Sequence, residues 1–91
     1  MKDGYILTLH PQGKSGKNIN KKSYDTIKKE ILIILKDKTL THTELFDVLI
    51  KNLTGKFPGN ISWYGETVKL DLEARKLIER TSDKPQKYKL N

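Results

Sequence analysis

The chain has no cysteine, so disulfides and thiol chemistry are excluded. It also lacks a long apolar run. The longest, Ile31 to Leu35, falls far short of the roughly 20 residues that cross a bilayer. The N-terminus shows no basic start, apolar stretch and small-residue cleavage site. No secretory leader is therefore expected, and a cytoplasmic location is. On that expectation the Asn-x-Thr at Asn52 and the Asn-x-Ser at Asn60 carry little weight as glycosylation sites. Catalytic constellations are missing too. There is no Ser/His/Asp or Cys/His set and no evident acid pair, and the two histidines, His10 and His42, stand far apart. The expectation is a protein that is not an enzyme, with no metal, cofactor or small-molecule ligand and no membrane segment.

What is present is lysine. The 91 residues carry a formal net charge of +7. Residues 1–22 contribute +4 of it and residues 77–91 contribute +2, so the excess sits mainly at the two ends. A basic balance suits an anionic partner such as nucleic acid. A solvated lysine-rich surface is the plainer alternative. The length allows one small domain with a limited core.

Tyr5 to Leu9 alternates, with Tyr5, Leu7 and Leu9 on one face, and predicts a short strand. Gly13 to Asn20 reads as a flexible basic linker. Gly13-Lys14-Ser15 matches only the end of a phosphate-binding loop. The full pattern needs glycine where Thr8 stands, and a helix directly after the serine.

The first helix is predicted over 22–37, capped by Asn20 or Ser23. Its buried stripe is Tyr24, Ile27, Ile31, Ile34 and Leu35, widened by Leu32 and Ile33. Thr39 and Leu40 predict a very short strand. Thr41-His42-Thr43-Glu44 is a capping box, with Leu40 and Leu45 placed as a hydrophobic staple. The second helix then buries Leu45, Phe46, Leu49, Ile50 and Leu53, and Gly55 ends it. Phe57 is expected on the core.

The third helix is predicted over 61–75, capped by Asn60 or Ser62. Ile61, Gly65, Val68 and Leu72 share one face, and Trp63, Leu70 and Ala74 lie nearly opposite. A helix apolar on two sides must be sandwiched. Gly65 lowers helix propensity by about 1 kcal/mol relative to Ala, which a closely crossing helix would explain. The remaining polar arc is Ser62, Glu66, Lys69, Glu73 and Lys76, with acids and bases at ion-pair spacing. Trp63 and Tyr64 are expected in the core; base stacking is the alternative. Leu77 to Thr81 and Gln86 to Leu90 predict a hairpin around a polar turn.

Three helices followed by a two-stranded hairpin is the order of a winged helix-turn-helix domain. Leu72 to Arg80, LEARKLIER, resembles the segment that leaves the recognition helix of many bacterial winged-helix regulators. Lys76 stands where those regulators commonly carry glycine, at a position that can require positive φ. The whole chain is also similar to a group of small bacterial winged-helix proteins with a Lys/Gly-rich N-terminal segment, the Trp-Tyr pair and a Pro-Gln-Lys wing. No established function comes with that similarity.

The fold expectation is therefore mainly α with a small antiparallel β wing over 22–91. Residues 1–21 form a basic arm with a possible extra strand. The resemblance implies double-stranded DNA as partner and allows a homodimer. Ser62, Trp63, Glu66, Lys69 and Glu73 become base-reading candidates. Lys14, Lys17, Lys21 and Lys22 of the arm, with Lys84 and Lys87 of the wing, become phosphate contacts. The runner-up is a protein-interaction module on the same scaffold, because the helix-three arc is charge-balanced. In that case the N-terminal strand could add to a sheet edge.

Overall fold

The computed structural model describes residues 4–14 and 16–91. In chain order these form β1 (Tyr5–Leu7), β2 (Asn18–Asn20), α1 (Lys21–Ile34), β3 (Leu40–Thr41), α2 (His42–Leu53), α3 (Ile61–Ala74), β4 (Ile78–Arg80) and β5 (Lys87–Leu90). The result is a mixed α/β chain of three helices and two small antiparallel sheets. One sheet is the β1-β2 hairpin; the other has the order β3-β5-β4. This layout is consistent with the winged-helix expectation.

Local chemistry sets each helix start. The Asn20 carboxamide oxygen accepts from the Ser23 amide at 3.1 Å and opens α1. Thr41 Oγ1 accepts from the Glu44 amide at 3.1 Å, while Glu44 Oε1 accepts from the Thr41 amide at 2.9 Å. This reciprocal box opens α2. The Asn60 side chain accepts from the Trp63 amide at 2.9 Å and opens α3. Gly55, with φ of +81°, lies just beyond the end of α2.

At the end of α3, Lys76 adopts φ of +64°, the left-handed conformation implied by its glycine-like position. Its amide bonds the Glu73 carbonyl at 3.1 Å, and the Leu77 amide bonds the Leu72 carbonyl at 2.9 Å. These are the two hydrogen bonds of a Schellman motif, and they turn the chain from α3 into β4.

The core lies where the three helices meet the β3-β5-β4 sheet. Ile27 and Ile31 of α1, Leu45 and Leu49 of α2, Val68 and Leu72 of α3, and Ile78 of β4 are fully buried within it. Phe57 and Tyr88 close its edges. Gly65 is required by packing. A Cβ there would stand 2.8 Å from both Leu49 Cδ2 and Phe46 Cε2, so α2 crosses α3 at that point.

Several sequence expectations change. The segment from Gly13 to Asn20 is not simply a linker: it carries β2, and Ile19 enters the core. Its pairing is Tyr5 to Asn20, Ile6 to Ile19 and Leu7 to Asn18. A lone isoleucine between two asparagines has no readable period, so the strand depends on its partner. Gly16 passes so near the Thr8 carbonyl that a Cβ would overlap it. Tyr5, Leu7 and Leu9 do share a face, but that face is exposed; Ile6 and Thr8 point inward. Ile33 and Ile50 are also exposed, so the apolar stripes of α1 and α2 are narrower than predicted. Ser15, the last residue of the phosphate-loop fragment, lies outside the described residues.

Candidate nucleic-acid interface

Three elements converge on the outward side of α3. The loop after β1 brings His10, Pro11 and Gln12 against Glu66, Leu70 and Glu73 of α3 and Arg80 of β4. Pro11 continues along Lys76, Ile78 and Glu79. The hairpin, the helix and the first strand of the C-terminal hairpin thus line one surface.

Asp71, on α3, fastens the N-terminal hairpin there. Its side chain is 0% exposed and accepts three hydrogen bonds. Leu9 donates its amide to Oδ1 at 2.8 Å, and Arg75 Nε donates to Oδ2 at 2.8 Å. The Tyr24 hydroxyl of α1 donates to the same oxygen. Burial pushes the Tyr24 phenol well above its ordinary range, and the hydrogen bond to Asp71 adds to the shift. The same carboxylate raises the Arg75 guanidinium. One buried acid therefore joins α1, α3 and the hairpin.

The polar arc of α3 holds the ion-pair ladder that its spacing predicted. Lys69 Nζ stands 3.7 Å from Glu66 and 2.8 Å from Glu73. Its exposure was not anticipated correctly. Lys69 is 1% exposed and the Glu73 side chain 7% exposed, so neither presents a charge outward as the base-reading assignment required. Lys69 Nζ lies 4.5 Å over the Tyr88 ring of β5, and Arg80 clamps Glu73 through Nε and Nη2. The physical reason is that a lysine stem is apolar and can be covered once its ammonium is paired. Lys76 sits in the turn beyond the helix, and Arg80, rather than the Lys76 that the arc predicted, pairs with Glu73.

The remaining candidates divide by location. Ser62 and Trp63 stand exposed on the first turn of α3, and Trp63 is 44% exposed rather than in the core. Its ring packs edge-on to Tyr64, at 5.0 Å between centroids. Tyr64 packs edge-on to Phe57. Glu66 is half-buried and bonds His42 Nε2 at 2.9 Å, while the His42 ring stacks on Phe46 at 4.2 Å. Lys14 and Lys17 are exposed between β1 and β2. Lys21 opens α1 and is engaged with Asp25 at 3.0 Å. Lys22 lies near Lys56, Phe57 and Pro58, in the turn before α3. Lys84 is exposed on the β4-β5 turn and Lys87 half-buried at the start of β5. Sequence reasoning missed Asp71, Arg75 and Arg80. Asp71 alone carried a signal, as an acid lying next to the buried face of α3.

Among the described residues, no three His, Cys, Asp or Glu side chains gather to hold a metal ion. None of the helices is long and apolar enough to cross a membrane.

The molecule is thus a small three-helix α/β domain with a hairpin at each end, and the outward side of α3 carries Glu66 and Glu73 beside Arg80. The chain belongs to the family of unknown function DUF6958, whose model matches residues 5–88, from the start of β1 into β5. No curated protein and no solved structure matches it.

Proposed function

We propose that the chain is a winged-helix DNA-binding protein, of the kind that serves as a small regulator in bacteria, and that it binds chiefly through phosphates. The observation that carries this reading is the convergence of the N-terminal hairpin, α3 and the β4-β5 hairpin on one side of the molecule. In this reading β4-β5 is the wing. Lys14, Lys17, Lys84 and Lys87 supply phosphate contacts, with Lys22 near the start of α3. Base contacts come from Ser62 and Trp63, because the N-terminal residues of a recognition helix reach base edges. Glu66 and Glu73 repel phosphate little, since His42, Lys69 and Arg80 engage them.

If about four to six phosphates are engaged, log K against log salt has a slope of roughly −4 to −5. Fluorescence anisotropy on a random duplex checks this. Binding that ignores salt, or no binding at micromolar protein, ends the reading.

A second reading is a protein-interaction module. It is favoured by the loop at His10 to Gln12, which sits against the middle of α3 where a major groove would dock. The exposed face of Tyr5, Leu7 and Leu9 beside the free edge of β1 would then meet a second copy or another chain. Sedimentation at several hundred micromolar tests the homodimer; a monomer there excludes it.

A further inference from the structure

The outward side of α1 carries a groove that the DNA reading does not use. Leu32 and Ile33 form its floor, and Leu90 at the end of β5 forms a wall. Ile33 is 57% exposed. Single exposed apolar residues are ordinary on a protein surface. Here Leu32, Ile33 and Leu90 line one shallow, open groove of about 710 Å³.

The rim is basic. Lys28, Lys29 and Lys36 line the groove together with one acid, Asp25. The Asp25 carboxylate is already engaged by Lys21 at 3.0 Å, and among the described residues no other acid lines the groove beside the three lysines. The spacing follows the helix, since 25, 28, 29, 32, 33 and 36 share its outward side while 24, 27, 31, 34 and 35 face the core.

We propose that this groove docks an acidic amphipathic segment of a partner protein, entering as a helix with its apolar side on Leu32, Ile33 and Leu90. An apolar floor does not suit a phosphate backbone. A helix with leucines on one side and carboxylates on its flanks satisfies both the floor and the rim. The groove shares no lining residue with the surface on α3.

The test uses the full-length protein labelled with 15N and a 16-residue synthetic peptide with leucine on one helical face and glutamate elsewhere. Amide shifts centred on Leu32, Ile33, Lys36 and Leu90 are expected. K29E/K36E should lower the affinity at least tenfold, and Ile33→Ser should lower it severalfold. These positions are exposed, and a thermal melt in circular dichroism establishes that each variant is folded. The same peptide with lysine in place of glutamate should bind at least tenfold more weakly. Equal binding of the two peptides overturns the proposal. So does an absence of shifts on α1, or binding to vesicles containing phosphatidylserine with no response to the peptide.

Discussion

Asp71 provides the sharpest test of how the N-terminal hairpin is held. Asp71→Ala would leave the Leu9 amide and the Tyr24 hydroxyl without an acceptor inside the protein. The Tyr24 hydroxyl is buried, and orphaning it costs about 1–3 kcal/mol; the Leu9 amide is only part-buried and adds about 1 kcal/mol. Arg75 is partly exposed and can turn to water, so it adds little. The expected loss is about 2–4 kcal/mol, including the small cavity. A chain of 91 residues has a total stability of roughly 5–14 kcal/mol, so the variant should be marginal. Asp71→Asn keeps one acceptor oxygen for Leu9, and the Tyr24 hydroxyl can rotate to accept. Only the charge-assisted bond to Arg75 is fully lost, and Arg75 can turn to water, so the expected loss is about 0.5–1.5 kcal/mol. Urea unfolding followed by circular dichroism measures both variants. Hydrogen exchange at the Leu9 amide should accelerate more in Asp71→Ala than in Asp71→Asn, which keeps the acceptor. If Asp71→Ala stays within about 0.5 kcal/mol of the parent, the buried acid does not hold the hairpin and the reasoning fails.

Other consequences follow from individual residues. Lys76→Gly should stabilise the chain by about 0.5–1 kcal/mol, because it removes left-handed strain but adds unfolded-state entropy; a loss in chemical denaturation contradicts this. Gly65→Ala gains about 1 kcal/mol of helix propensity, but it drives a methyl into Leu49 and Phe46 at about 1–3 kcal/mol. A net loss of about 1 kcal/mol is expected, and a rise in melting temperature would refute the close crossing. The hydrogen bond from the Thr41 amide holds the Glu44 carboxyl below its ordinary range. A lowered folded-state value contributes stability that is present above the unfolded value, near pH 4.3, and is lost as pH falls through the folded one. Glu44→Ala should therefore lose more stability at pH 7 than at pH 3; an equal loss at both contradicts the capping role.

Helix starts, and the turn that ends α3, were readable from the chain because they depend on neighbours in sequence, whereas α1 ends at Ile34 and not at the predicted residue 37. Asn20, the Thr41–Glu44 box, Asn60 and the glycine-like position of Lys76 act within one turn of their own backbone. The buried stripes of α1 and α2 were readable for the same reason, since 3.6-residue periodicity marks the core side of a helix. Tertiary contacts decided the rest. β2 forms because β1 offers an edge to it, and Ile19 alone could not announce that. Trp63 is exposed because Tyr64, not Trp63, packs against Phe57. Lys69, Asp71 and Glu73 are polar by composition but buried, because Tyr88, Arg80, Tyr24 and the Leu9 amide meet them from other elements. Periodicity tells which side of a helix is apolar. Whether a charged side chain faces water depends on what folds over it and whether a partner arrives with the cover.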